Sequence, residues 1–424
     1  MSHQAVEHLF RHEYGQLVAL LTRRFGIEHI ETIEDSVQWS MAQALEKWTH
    51  TESNRATVPE NSSGWLYKAS YNRIISELRA VKRHNELLQK QADNQTALAI
   101  KNSEQNELSD LTLSGELKDS LLRMLFFACN SALPVESQLV FTLKTLCGFS
   151  IKEVASRLFI SEENAYKRFS RAKVILKKLS KEFPEMPEEQ LNDRLDLVYR
   201  VLYLIFTEGY LSSHGKEAIR TELCDEALRL ALVLLDSNVG RKPESYALIA
   251  LMYLQSARIN TRKNSSGALQ LLEFQERSKW NSDLITKGLH FLHASTNSES
   301  ISRYHIEAGI AAEHCIAKSY EDTRWEKIVD SYCLLEKLSH SPLHTLNRAI
   351  ATAEWKGAKA GLDVLERTKA PGWLTKSYHW YAVMADLNFR SGNKELGTEY
   401  MNLAFDTSPT KEIEDLLKQR LEQY

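Results

Sequence analysis

The stretch from Gly148 to Leu179 admits very few folds. Ser150 followed three residues later by Glu153 is a capping box, in which each member's side chain satisfies the other's orphan backbone amide at a helix start. Ser161 followed by Glu162 and Glu163 starts a second helix and sets carboxylates at its positive end. Two helices of about eight and about nineteen residues therefore meet across a three-residue turn, the helix-turn-helix layout. In the second helix Ala165, Phe169, Ala172, Leu176 and Leu179 recur at spacings of 4, 3, 4 and 3, which predicts the buried stripe. Asn164, Lys167, Arg168 and Arg171 then share an exposed face, with amide and guanidinium groups suited to base edges and cations suited to phosphates. A surface helix hairpin with incidental charge fits the same residues less economically.

A second stripe lies upstream. Tyr67, Tyr71, Ile74, Leu78 and Val81 step by 4, 3, 4 and 3, beside a face carrying Lys68, Asn72, Arg79 and Arg83. Trp65 and Leu66 open this helix after the turn-forming Asn61-Ser62-Ser63-Gly64. Aromatics interleaved with cations suit unpaired bases, although an aromatic core with solvated charge explains the same pattern. Charge sharpens the point. The chain's net charge is only −3, yet Arg55 to Lys90 carries seven basic against three acidic residues, and Phe141 to Lys181 carries ten against three. Two basic islands of +4 and +7 thus sit in a chain that is otherwise at −14, and clustered cations are the footprint of a phosphate-binding surface.

The rest of the chain is predicted to be helical too. With 16 Gly and 8 Pro in 424 residues and few alternating Val/Ile/Thr runs, little material remains for strands, so the fold class is all-α. Residues 91–115 are rich in Gln, Asn, Ser and Lys, the composition of a linker. Phe183 to Pro187, with two prolines around Glu185 and Met186, punctuates the chain. Beyond it, Tyr381, Met384, Ala385, Gly392, Gly397, Met401, Ala404 and Pro409 fall at tetratricopeptide spacings, and Gly357 precedes Gly392 by 35 residues, which predicts an array of helix pairs. The expected domains are 1–90, a 91–115 linker, 116–182 and 183–424.

Other classes find little support. The longest apolar run, Leu197 to Phe206, is ten residues with Arg200 inside it, so no membrane span is expected and a cytoplasmic location is the default. Cys129, Cys147, Cys224, Cys315 and Cys333 form no C-x-x-C pair and predict buried reduced thiols. Gly209 to Lys216 has five residues between its glycines where a phosphate loop needs four, and Glu217 replaces the hydroxyl that would hold magnesium. The pairs His290/His293 and His340/His344 lack a His-Glu-x-x-His string. Neither a metal, a cofactor nor an enzymatic activity is expected.

Taken in order, Glu34-Asp35-Ser36-Val37-Gln38, then Trp65-Leu66 with Asn72-Arg73 and Leu78-Arg79, then the helix-turn-helix, resemble bacterial sigma-70 factors of the extracytoplasmic-function class. Region 2 resembles Phe10 to about His84, and region 4 about Leu117 to Leu179. Tyr203 to Tyr210, Asp322-Thr323-Arg324-Trp325 and Leu346-Asn347-Arg348-Ala349 are similar to strings of the subgroup with a long tetratricopeptide-like C-terminal extension. Trp39, Ser76 and Asn130-Ser131 stand where the family usually carries an acidic residue, an Asp and a His-Pro pair. The resemblance implies that Glu34, Asp35 and Gln38 dock on core RNA polymerase. It implies that Trp65, Lys68, Asn72, Arg73, Arg79 and Arg83 melt and read the −10 element of promoter DNA. Asn164, Lys167, Arg168 and Arg171 would read the −35 element, and the C-terminal helix pairs would modulate activity or take a protein or peptide partner. The alternative is a helix-turn-helix regulator or helical-repeat adaptor that does not engage polymerase.

Overall fold

The computed structural model describes residues 3–49, 59, 61–89, 110–158, 160–179, 187–210, 219–240, 242–264, 268–297, 300–339, 341–408 and 411–424. Among them there are 19 α-helices and no strand, an all-α protein as its composition requires. The chain divides into two compact units, Met1–Val201 and Leu202–Tyr424.

The first unit holds α1 (His3–Phe25), α2 (Ile30–Thr49), α3 (Ser62–Gln89), α4 (Asp110–Ala128), α5 (Val135–Thr145), α6 (Ile151–Leu158) and α7 (Glu162–Leu179). It also holds the start of α8 (Glu188–Tyr210), within which the division falls. Leu17, Val18 and Leu21 of α1, Ile33, Val37 and Ala44 of α2, Leu66 and Ile74 of α3, and Leu117 of α4 form one dry cluster. The linker expectation for 91–109 lies outside the described residues, whereas 110–115 is already helix, the first turns of α4. Arg23 and Arg24 of α1 hold α4 through Asp119 and Glu116 at 3.0 and 3.1 Å.

The stripe expected on α3 is turned about the helix axis. Leu66, Ser70 and Ile74 are fully buried, Tyr67, Tyr71 and Leu78 pack half-buried at the edge of the cluster, and Val81 is 56% exposed. The buried side of α3 meets α2 through a pair of hydroxyls, Ser40 of α2 and Ser70 of α3, 2.7 Å apart in the interior. Each can also donate to its own helix, Ser40 to the Val37 carbonyl and Ser70 to that of Leu66, so small polar residues let the two helices approach without an unsatisfied group.

In the second unit α8 continues into α9 (Thr221–Asp236), α10 (Pro243–Ser256), α11 (Ser282–Ala294), α12 (Arg303–Ile316) and α13 (Trp325–Leu338). There follow α14 (Pro342–Lys356), α15 (Ala358–Glu366), α16 (Gly372–Thr375), α17 (Tyr378–Arg390), α18 (Lys394–Asp406) and α19 (Lys411–Leu421). Nine consecutive-range residues of α10, from Ser245 to Leu254 except Tyr246, are buried, which makes it the central helix against which α9, α11 and α12 pack. Helices α14/α15 and α17/α18 are close-packed pairs, with Gly357 and Gly392 in their turns. At Gly397 a Cβ would lie 2.7 Å from the Phe389 ring, so only glycine permits the α17/α18 approach. Pro409 lies outside the described residues.

Candidate nucleic-acid interface

The helix-turn-helix forms where its caps predict. The Ser150 amide donates to Glu153 Oε2 at 2.8 Å, and the Glu153 amide donates to Ser150 Oγ at 3.1 Å, both halves of the capping box. Ser161 Oγ accepts from the Asn164 amide at 3.2 Å and starts α7. Gly148, at φ 72°, makes the turn into α6 in a backbone region that a side chain resists, and a Cβ there would meet the Tyr14 ring at 2.9 Å. Ala165, Phe169, Ala172 and Leu176 are buried, and the Phe169 ring stacks on Phe141 of α5 at 5.8 Å. Leu179, expected to complete the stripe, is 50% exposed because α7 by then has run past its neighbours.

Asn164, Lys167 and Arg171 are exposed and Arg168 is half-buried. All four lie within two turns at the N-terminal half of α7, the part of a recognition helix that enters the major groove. Lys167 is paired with Glu163 at 2.5 Å, but both side chains remain in water, where such a pair is weak and yields readily to phosphate. Lys173, one turn further on, is spent differently, since its ammonium contacts Glu31 at the start of α2.

On α3, Lys68, Asn72, Arg79 and Arg83 are exposed along one side. Two other candidates do not join them. Arg73 pairs with Glu77 at 2.9 Å and lies over the Trp39 ring at 4.6 Å, so the aromatic at position 39 takes the guanidinium that an acidic residue there would take. Trp65 is half-buried against the core, edge-on to Trp48 at 5.6 Å, with the Lys47 ammonium 5.5 Å from its ring centre.

The acidic trio on α2 is split. Asp35 and Gln38 are exposed, whereas Glu34 is 3% exposed and ion-paired with Lys144 of α5 at 2.9 Å. Burial pushes its carboxyl up to about 7, against the opposing pull of Lys144. The surface role expected of Glu34 is thus not available to it in this arrangement; it is an internal tie between α2 and α5.

Among the described residues no group of His, Cys, Asp and Glu could hold a metal, and no helix is long and apolar enough to cross a membrane. The five cysteines are free, with Cys129, Cys147 and Cys224 buried; burial pushes the Cys224 thiol up to about 12, which makes it a poor nucleophile. The would-be phosphate loop beyond Tyr210 and His340 lie outside the described residues.

Residues 123–176, from α4 to α7, match the family described as Sigma-70, region 4. Residues 194–296 match a family described as being of unknown function, DUF6596. An uncharacterized protein of Rhizobium meliloti (strain 1021) is 32% identical over 351 residues, which is 83% of this chain and 80% of that protein. No solved structure matches. A region 4 segment supports a sigma-70 family factor, a class of transcription factors that are not enzymes, and it implies sigma-like DNA binding with polymerase and promoter DNA as partners.

Proposed function

Because the chain belongs to the same family as the Rhizobium meliloti protein and carries a sigma-70 region 4 segment, we propose that it is a polymerase sigma factor of the extracytoplasmic-function class. The observation that carries this reading is the agreement of sequence family and local geometry in one segment. The segment similar to region 4 is the one whose caps, turn and buried stripe present Asn164, Lys167, Arg168 and Arg171 together. Residues 1–90 then act as region 2, 91–115 as the link, 116–182 as region 4, and 183–424 as a tetratricopeptide-like module that modulates activity. Asp35 and Gln38 meet core RNA polymerase, and the Lys68, Asn72, Arg79 and Arg83 face of α3 meets the −10 element. Arg73 and Trp65, already packed on aromatic partners, support that face from below. Asn164, Lys167, Arg168 and Arg171 read the −35 element. In the cytoplasm such a protein needs no cofactor, because the polymerase supplies the chemistry.

The test is transcription in vitro from a genomic fragment library by core polymerase with and without the protein. New, discrete start sites that depend on the protein are the expected result. Duplex binding without initiation would instead establish a helix-turn-helix regulator, and binding to neither DNA nor polymerase a helical adaptor; both outcomes refute the sigma reading.

A further inference from the structure

The second unit contains a cavity of about 310 Å³ that the transcription chemistry does not use. It lies among α12, α13, α14, α17, α19 and the Leu272–Phe274 turn. Its volume is at the lower end for small-molecule sites, and its wall is mainly apolar, with Trp325 and Tyr332 supplying aromatic surface.

The polar groups in this wall are arranged asymmetrically. At one end Glu273, Glu354 and Asp386 line the cavity together with a single guanidinium, that of Arg420. Arg420 donates from Nε to Asp386 Oδ1 at 2.7 Å and also bonds Glu273. Arg390, behind the wall, donates to Glu354 Oε1 at 2.5 Å and to Asp386 Oδ2 at 3.4 Å. Tyr424 donates its hydroxyl to Asp386 Oδ1 at 2.9 Å. Three carboxylates therefore share two guanidiniums, and the neighbouring Tyr320 phenol is raised above its ordinary range first by burial and then by Glu354 and Glu273, with Arg420 and Arg390 opposing.

His314 also lines the cavity, its ring edge-on to Trp325 at 5.4 Å. Burial, with Arg258 and Arg277 behind it, holds this imidazole down to about 3, so it is neutral at any physiological pH. Its Nδ1 is buried and has no hydrogen-bond partner in the protein. A buried polar atom left in that state is costly to the free protein. Arg277 is occupied elsewhere, donating to the Ala317 carbonyl at 3.0 Å and to Thr323 Oγ1 at 3.1 Å, and it does not line the cavity.

We propose that this cavity binds a small aromatic amine as a monocation, with its ring against Trp325 and Tyr332 and its ammonium at the Glu273, Glu354 and Asp386 end. With three carboxylates to two guanidiniums this end disfavours an anion, and a purely apolar molecule would gain nothing from the surplus charge. The second unit is then a receptor for a soluble cation.

The test is calorimetric titration of the whole protein at neutral pH with 4-phenylbutylamine, 4-phenylbutanol and 4-phenylbutyrate. These probes share a ring and differ in the charge of the head group. The amine is expected to bind saturably and at least roughly tenfold more tightly than the carboxylate, with the alcohol between them. Ile350→Trp, at a partly exposed position in the lining, fills the space and should abolish amine binding without changing the circular dichroism. Glu354→Gln should reduce the amine's advantage over the acid. No saturable binding of the amine, equal or tighter binding of the acid, or amine binding that survives Ile350→Trp would each overturn the proposal.

Discussion

Glu34 offers a test of the first unit's packing that does not depend on any DNA. Its carboxyl is pushed from 4.5 to about 7 chiefly by burial, with Lys144 opposing and Asp35 and the Tyr14 hydroxyl close by. Each pKa unit corresponds to about 1.36 kcal/mol, so the displacement amounts to about 3 kcal/mol between the two ends of the titration. The sign follows from proton counting. Below pH 4.5 the group is protonated whether the chain is folded or not, and its contribution to stability is fully present. Between 4.5 and about 7 the unfolded chain releases its proton while the folded one keeps it, so stability falls as pH rises, and above about 7 the loss is complete. Glu34→Gln, nearly isosteric and without a titration, should match the natural protein at about pH 4 and exceed it by up to about 3 kcal/mol at about pH 8. Hydrogen exchange of α2 and α5, corrected for intrinsic rates, measures the opening free energy of these helices at each pH. If Glu34→Gln instead loses stability relative to the natural protein as pH rises, attraction to Lys144 outweighs desolvation and the reasoning is wrong; parallel pH curves would show that Lys144 cancels the cost of burial and would refute it equally.

Two further predictions concern the exposed faces. Arg168→Ala and Arg171→Ala should each weaken specific promoter binding by roughly 1–3 kcal/mol in a competition assay if they read base edges. An equal loss on unrelated duplexes would demote both to phosphate contacts. The double change Asp35→Ala with Gln38→Ala, on a solvated face of α2, should reduce capture of core polymerase while circular dichroism stays unchanged, because alanine is a good helix former. Undiminished capture would remove this face from the polymerase contact.

Local signals were legible in the sequence and distant ones were not. Ser150 with Glu153, and Ser161 with Asn164, act within one turn, so caps and turn are legible in the sequence alone. The stripe of α7 was legible through Leu176, since four residues at helical spacing face α5, but where the partner ends is not written in α7 itself, and Leu179 is exposed. On α3 hydrophobicity pointed to the tyrosines, while the buried side includes a serine that meets another 30 residues away, a contact no periodicity encodes. Glu34 and Lys144 are separated even further along the chain, and an acidic residue on an amphipathic helix is ordinarily on its wet side. The cavity of the second unit was invisible for the same reason. Trp325 and Asn347 belonged to strings that stood out, yet only folding brings them to one wall with Asp386 and Arg420.

These internal ties change the count of cations that DNA can meet. From Phe141 to Lys181 the sequence holds ten basic residues, and if all met phosphate the slope of log K against log salt would be ~−9. Lys144 is committed to Glu34 in the interior, and Lys173, 23% exposed in its side chain, to Glu31. The described side chains that remain are Lys152 of α6 and Lys167, Arg168, Arg171, Lys177 and Lys178 of α7, and six such contacts give a slope of ~−5.4. The slope measured on a short duplex carrying the −35 element should therefore lie near the smaller value. Lys177→Met should reduce its magnitude by ~0.9, whereas Lys173→Met should leave it unchanged, because Glu31 holds that ammonium before DNA arrives. A slope near the larger value, or an equal response to the two substitutions, would mean that α7 parts from α2 on binding DNA and that the first unit opens to expose the charges it keeps inside.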